Sequence, residues 1–249
     1  MNSRLNMVGY NRTVKLEWLD FTAEQLLAGK PEAEIYNALN DSLQDRISPG
    51  SDAKRSSREK TITLLLKTWV RVPGHLKEFR DSGLEFLKKR SCELRVPVHW
   101  GATIAAYPFW KIVAETAGRL LLLQGQFTMA QVQRRLRETL GERETVSRST
   151  RYVLRSFVNW GVLIENGTVG VYFPGAKHRI DDPNLIIWLI EAMLYATENG
   201  MKPLDSLLNS PALFPFDLKI ISPGIFSTSA KIEVSRGNMD DYYVRLQAN

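Results

Sequence analysis

One cysteine, Cys92, and three histidines, His75, His99 and His178, are all that the 249 residues offer of the usual transition-metal ligands. A single thiol excludes an internal disulfide, and three scattered histidines give no zinc-ligand spacing. No metal site and no cofactor is expected. Long apolar runs are also missing. The two longest, residues 185–196 and 112–123, are broken by Glu191 and by Glu115 and Arg119. Neither reaches the roughly 18 apolar residues of a membrane span. Residues 1–10 lack an apolar core followed by small residues, so no secretory leader is predicted. The chain reads as a cytoplasmic protein that does not engage a membrane.

Catalytic signatures are absent too. There is no Gly-x-Ser-x-Gly, no phosphate-binding Gly-rich loop ending in Gly-Lys-Ser/Thr, and no His-x-x-x-His. The adjacent pairs Asp181-Asp182 and Asp240-Asp241 have no Lys or Glu-x-Lys pattern nearby and read as caps and turns. No catalytic residue, small-molecule substrate or enzyme class is assigned. Glycine (16) and proline (11) are close to average, which excludes collagen-like and low-complexity chains.

What is present is an ordinary globular composition with uneven charge. Apolar residues make up 44% and charged residues 24%, enough for a sizeable core without staples. The net charge of +6 is concentrated. Residues 54–95 carry twelve basic and five acidic side chains, and residues 119–160 carry eight basic and three acidic ones. The flanks, 1–53 and 161–249, are each −3. Two local basic blocks are the footprint a polyanion would require, although solvated helix faces have the same composition.

The predicted architecture is mainly α, in three pieces. Residues 1–95 form a helical, helix-turn-helix-like N-terminal domain. Its helices lie near 16–27 and from Pro31 onward, followed by a turn at 48–52 and a basic helix near 53–70. Lys54, Arg55 and Arg58 lie on the outward side of that helix. After Pro73-Gly74, an amphipathic helix covers 76–90 and residues 95–100 are extended or loop. Residues 96–175 form a winged helix-turn-helix domain: a long apolar helix ending at residue 123, a helix over 129–140 capped by Thr128, a third over 147–160, and a small β-hairpin. Asn166-Gly167 between two strand-like runs is the hairpin signal. Residues 176–249 form a C-terminal helical module with a β-hairpin, pairing 231–234 with 242–246; a degenerate second winged fold is an alternative for it.

The third winged-segment helix carries the functional reading. A helix fits the major groove of duplex DNA. Arg148, Arg151 or Tyr152, Arg155 and Asn159 recur at helical spacing opposite the Phe157 stripe, over roughly 16 Å. Ser147 and Ser149 at its start suit a phosphate. Arg134, Arg135 and Arg137 on the preceding helix reach toward the flanking backbone. Residues 119–160 contain no lysine; arginine forks bind phosphate and guanine bidentately, whereas lysine acts as a point charge. The predicted DNA-binding set is therefore Arg148, Ser149, Arg151, Tyr152, Arg155, Asn159, Arg134, Arg135, Arg137, Lys54, Arg55 and Arg58. Trp69, Trp100, Trp110, Trp160 and Trp188 lie on apolar helix faces and read as core.

Three stretches carry a family resemblance. They are Lys54-Arg55-Ser56-Ser57-Arg58-Glu59-Lys60-Thr61 opening a helix, Ala106-Tyr107-Pro108-Phe109 opening the central helix, and Ser149-Thr150-Arg151-Tyr152-Val153-Leu154-Arg155 running into Trp160-Gly161-Val162-Leu163. In segment order, over about residues 15–173, the chain resembles the BrxA family of the BREX phage-exclusion systems. The resemblance implies a small, mostly helical, non-enzymatic accessory protein that binds double-stranded DNA. Its partners would be other defence-system proteins: a helicase, a methyltransferase and an ATPase. A winged-helix transcription regulator and a protein-docking scaffold subunit remain alternatives.

Overall fold

A computed structural model describes residues 8–47, 56–89, 91–198, 200–237 and 241–247. The structure is mainly helical with small sheets. The first three helices form where the apolar period places them: α1 (Leu16–Leu27), α2 (Glu32–Ser42) and α3 (Ser57–Trp69). Ser56 caps α3, its Oγ accepting from the Glu59 N–H at 3.0 Å. Lys54 and Arg55, both in the predicted DNA-binding set, lie outside the described residues. A 3-10 turn at Gly74–Leu76 leads into α4 (Lys77–Lys88).

The first departure from the sequence reading comes at residues 95–100. They are not extended or loop but belong to α5 (Cys92–Ala106), with Pro97 inside the helix. A proline in a helix interior costs about 3 kcal/mol. It is outweighed because every residue from Val96 to Ala105 is buried, and each large apolar side chain so buried contributes roughly 1.5–3 kcal/mol. The division expected between residues 95 and 96 therefore falls inside a helix.

The central segment runs α6 (Pro108–Gln124), β1 (Phe127–Thr128), α7 (Met129–Leu140), α8 (Glu144–Asn159), β2 (Leu163–Glu165) and β3 (Val171–Pro174). The strands form an antiparallel sheet in the order β1-β3-β2, with Phe127 opposite Tyr172 and Ile164 opposite Phe173. The Asn166-Gly167 hairpin forms, but with a wider tip than a two-residue turn: Glu165 already faces Tyr172. Strand β1 has two residues, too few for any alternation to register in sequence. Gly141 joins α7 to α8 with φ +86°, a conformation an L side chain rarely adopts.

The remaining chain is β4 (His178–Ile180), α9 (Pro183–Tyr195), β5 (Lys202–Pro203), α10 (Leu204–Leu208), a 3-10 turn at Pro211–Leu213, β6 (Phe216–Leu218), a 3-10 turn at Pro223–Thr228, β7 (Ile232–Arg236) and β8 (Tyr242–Leu246). β4 and β6 pair in parallel. The expected pairing of the last two strands is present, with Val234 opposite Val244. β5 adds on, giving the order β5-β8-β7. That permutation matches β1-β3-β2, and each set follows a long helix, α6 or α9.

The core gathers around α5, α6, α8 and α9. Trp100 stacks on Phe157 at 4.8 Å, and Trp110 meets Phe157 edge-on at 4.7 Å. Trp188 stacks on Phe79 at 4.4 Å, joining α9 to α4. All five tryptophans assigned to the core are buried. Helix α6 runs so close to the Pro211–Leu213 turn that a Cβ on Gly118 would collide with the Pro211 carbonyl oxygen. Gly118→Ala should therefore cost about 2 kcal/mol of stability by overpacking. An unchanged denaturant midpoint would show that this close approach does not exist in solution.

Candidate nucleic-acid interface

The geometry of α8 is set from below. Val146, Thr150, Val153, Leu154 and Phe157 are buried on its inner side. Helix α7 braces it from one flank. Thr128 and Gln131 close a reciprocal capping box at the start of α7, and the Gln133 side-chain amide donates to the Ser147 carbonyl at 2.8 Å. The β2–β3 hairpin braces the other flank.

Three arginines of the predicted row remain in solvent: Arg148, Arg151 and Arg155. They are spaced i, i+3, i+7 and cover ~10 Å of the helix. Their nearest intramolecular carboxylate contact among the described residues is Arg148 to Glu144, at 3.9 Å, with both side chains more than half exposed. An exposed pair at that distance neutralises little. Arg151 and Arg155 lie toward the hairpin. The Tyr172 phenol there is pushed above its ordinary range, first by burial and then by Glu165, while Arg155 and Arg151 pull it down. On α7, Arg134, Arg135 and Arg137 are exposed, Arg134 standing 3.8 Å from Glu138.

Of the other predicted contacts on α8, Ser149 is corrected, while Tyr152 and Asn159 have partners within the chain. Ser149 is 4% exposed and faces the core, so it is not available to phosphate. Asn159 is exposed on the predicted face, and its Oδ1 accepts from the Leu16 N–H at 3.3 Å, at the start of α1. Tyr152 is half-buried beneath the Arg12 guanidinium, 5.6 Å from the ring centroid. The partners of Tyr152 and Asn159 belong to a strap that no periodicity announced. Val14 donates its N–H to Ser156 Oγ at 2.9 Å, and its carbonyl accepts from the Trp160 indole at 2.9 Å. The strap thus runs beside α8 in the same direction, matching residues 12, 14 and 16 to 152, 156 and 159. Fully extended, the four steps from residue 12 to 16 would span ~13 Å, enough to follow the ~10 Å rise of α8 from residue 152 to 159.

Arg12 is the residue sequence reasoning missed. Its Nη2 donates to Ser57 Oγ at 3.3 Å, in the first turn of α3. Arg58 is the next residue along. Arg12 therefore links α3 to α8, touching Ser57 and Tyr152, which stand 95 positions apart in sequence. Comparison with known proteins finds no matching family model, curated relative or solved structure. The interface is thus read from its own chemistry.

The other polar clusters are occupied. The Trp69 indole donates to His99 Nδ1 at 3.1 Å, which leaves Nε2 to donate to Asp20 Oδ1 at 2.9 Å. Burial keeps His99 below its ordinary pKa. Burial pushes the Asp20 carboxyl up, but His99 and Arg95 outweigh it and hold the group below the usual range. Both imidazole nitrogens are spent inside the core, so His99 has no free edge for proton transfer. A cavity of about 870 Å³ lies beside this network, lined by Asp20, Glu24, Lys88, Ser91 and Arg95 among others. Among the described residues no group of three or more His, Cys, Asp or Glu could hold a metal ion, and no helix is long and apolar enough to cross a membrane.

Proposed function

We propose that the chain binds duplex DNA and that residues 108–174 act as a winged helix-turn-helix, with α8 as the helix that enters the major groove. One observation carries the reading: Arg148, Arg151 and Arg155 form an exposed row on a helix propped from beneath by its apolar side. The order α6-β1-α7-α8-β2-β3 and the strand order β1-β3-β2 support it. Arg134, Arg135 and Arg137 flank the row and serve the phosphate backbone. The hairpin tip, Asn166-Gly167-Thr168, is neutral and contributes no phosphate charge.

The C-terminal strand set is the candidate second winged unit, but DNA contact is assigned to the first. Where a reading helix would lie, residues 209–229 hold Pro211, Pro215 and Pro223, two 3-10 turns and no arginine. Prolines at that spacing stop a helix. On the sequence resemblance, the biological setting is an accessory role, without chemistry of its own, in a phage-exclusion system.

Salt-titrated binding to duplex fragments tests the reading. With about six phosphates contacted, log K should fall against log salt with a slope near −5 and with little preference among sequences. Failure to bind a duplex even at about 50 mM salt would remove it.

A further inference from the structure

We infer that Arg12 is a DNA-phosphate contact, and that the strap carrying it joins the first turn of α3 to the arginine row of α8 as one binding surface. The inference rests on the duplex-DNA reading above and extends it to a segment outside the winged unit.

Arg12 is held at three points. Its guanidinium lies over the Tyr152 ring, and Nη2 donates to Ser57 Oγ. Nη1 donates to the Asn11 carbonyl at 2.6 Å. A guanidinium has five N–H donors, so most remain for an incoming ligand. No carboxylate pairs with Arg12 among the described residues, although the side chain is half-buried. Tyr152, which it covers, is flanked one turn back by Arg148 and three residues on by Arg155. Arg58 follows Ser57, which it touches.

Geometry selects phosphate over a base edge as the ligand of Arg12. The strap lies beside α8 rather than on its solvent crest. When the crest enters a groove, a side chain beside it meets the sugar-phosphate wall. A guanidinium already ordered by stacking on an aromatic ring loses little further entropy on binding there.

The experiment is fluorescence anisotropy of a short labelled duplex with the full chain, between about 50 and 200 mM salt. Arg12→Gln should bind about tenfold more weakly near 0.1 M salt, with a slope shallower by about 0.9. Arg12→Lys keeps the charge and should keep the slope, even though it loses the fork geometry. Arg179→Gln, on β4 and away from this edge, should match the unaltered protein. A slope for Arg12→Gln equal to that of the unaltered chain overturns the inference, whatever happens to the affinity. So does a slope for Arg12→Lys that falls as far as for Arg12→Gln, since the strap and not the charge would then be responsible. Absence of binding by the unaltered chain would instead overturn the DNA reading itself, and this inference with it.

Discussion

Reversing Arg148, Arg151 and Arg155 together to glutamate should weaken duplex binding by about a thousandfold near 0.1 M salt. Each lost phosphate contact removes about 0.9 from the salt slope and close to a factor of ten in affinity at that salt; three contacts and the added repulsion compound. Stability should barely move. The three side chains are exposed, and the single ion pair among them, Arg148 with Glu144, is a loose contact on the surface. Unchanged circular dichroism and thermal midpoint, together with lost binding, is the expected pair of results. Reversing Arg179 and Arg245 in the C-terminal part is the control; both already face carboxylates, Asp181 and Glu233. Full duplex affinity in the triple variant would sink the assignment of α8. Release of a protein partner from that variant would identify α8 as a docking helix instead.

The second large effect concerns pH. Glu191 interrupts the apolar run of α9 and is 6% exposed, with one carboxylate oxygen unpartnered. Burial raises its pKa to about 7 from 4.5; Tyr195 and Lys231 pull it down, and Glu78 pushes it further up. Lys231 is itself paired with Glu78. The folded state therefore holds this proton more tightly than the unfolded chain does. The resulting stabilisation is complete below pH 4.5 and is lost as pH rises through about 7. By about pH 8 the loss is roughly 3 kcal/mol. His99 and Asp20 act in the opposite direction. Both pKa values are lowered by folding, so their stabilisation is lost on acidification, beginning below pH 6.5 for His99. Glu191→Gln isolates the first effect. The variant should match the unaltered protein near pH 4.5 and exceed it by roughly 3 kcal/mol near pH 8 in denaturant unfolding. Equal midpoints at both pH values would show that Glu191 is solvated and ionises normally.

Most of α8 was legible in the sequence because helical spacing sorts side chains by direction. The Val146, Val153, Phe157 stripe faces inward, and Arg148, Arg151 and Arg155 face out, as the spacing requires. The same rule left Asn159 exposed as required, but gave no sign that Tyr152 and Asn159 have partners from another segment; Ser149, assigned from a helix start at residue 147, is buried because α8 begins at Glu144. Periodicity tells which residues point away from a given stripe, but it carries no information about what else crosses the helix. Here a strap from the N-terminal part runs alongside, touching Tyr152, Ser156 and Asn159. Extended segments that pair with side chains instead of strands have no alternation to detect. The helix at residues 95–100 was missed for a related reason. Pro97 is a strong local stop signal, overruled by burial on all sides of α5, which exists only after α9 has docked.

Local chemistry settled the caps, the hairpin at Asn166-Gly167, the inward tryptophans and the outward arginines. Each of these depends on neighbours within a turn or two, where propensity and spacing act directly. The meeting of Arg12 with both α3 and α8 depended on folding. Arg12, Ser57 and Tyr152 are brought together by loop closures of 45 and 95 residues, and the side chains that drive those closures are core residues such as Val14 and Trp160. Long-range packing places the cations; the cations themselves carry no signal of where they will meet.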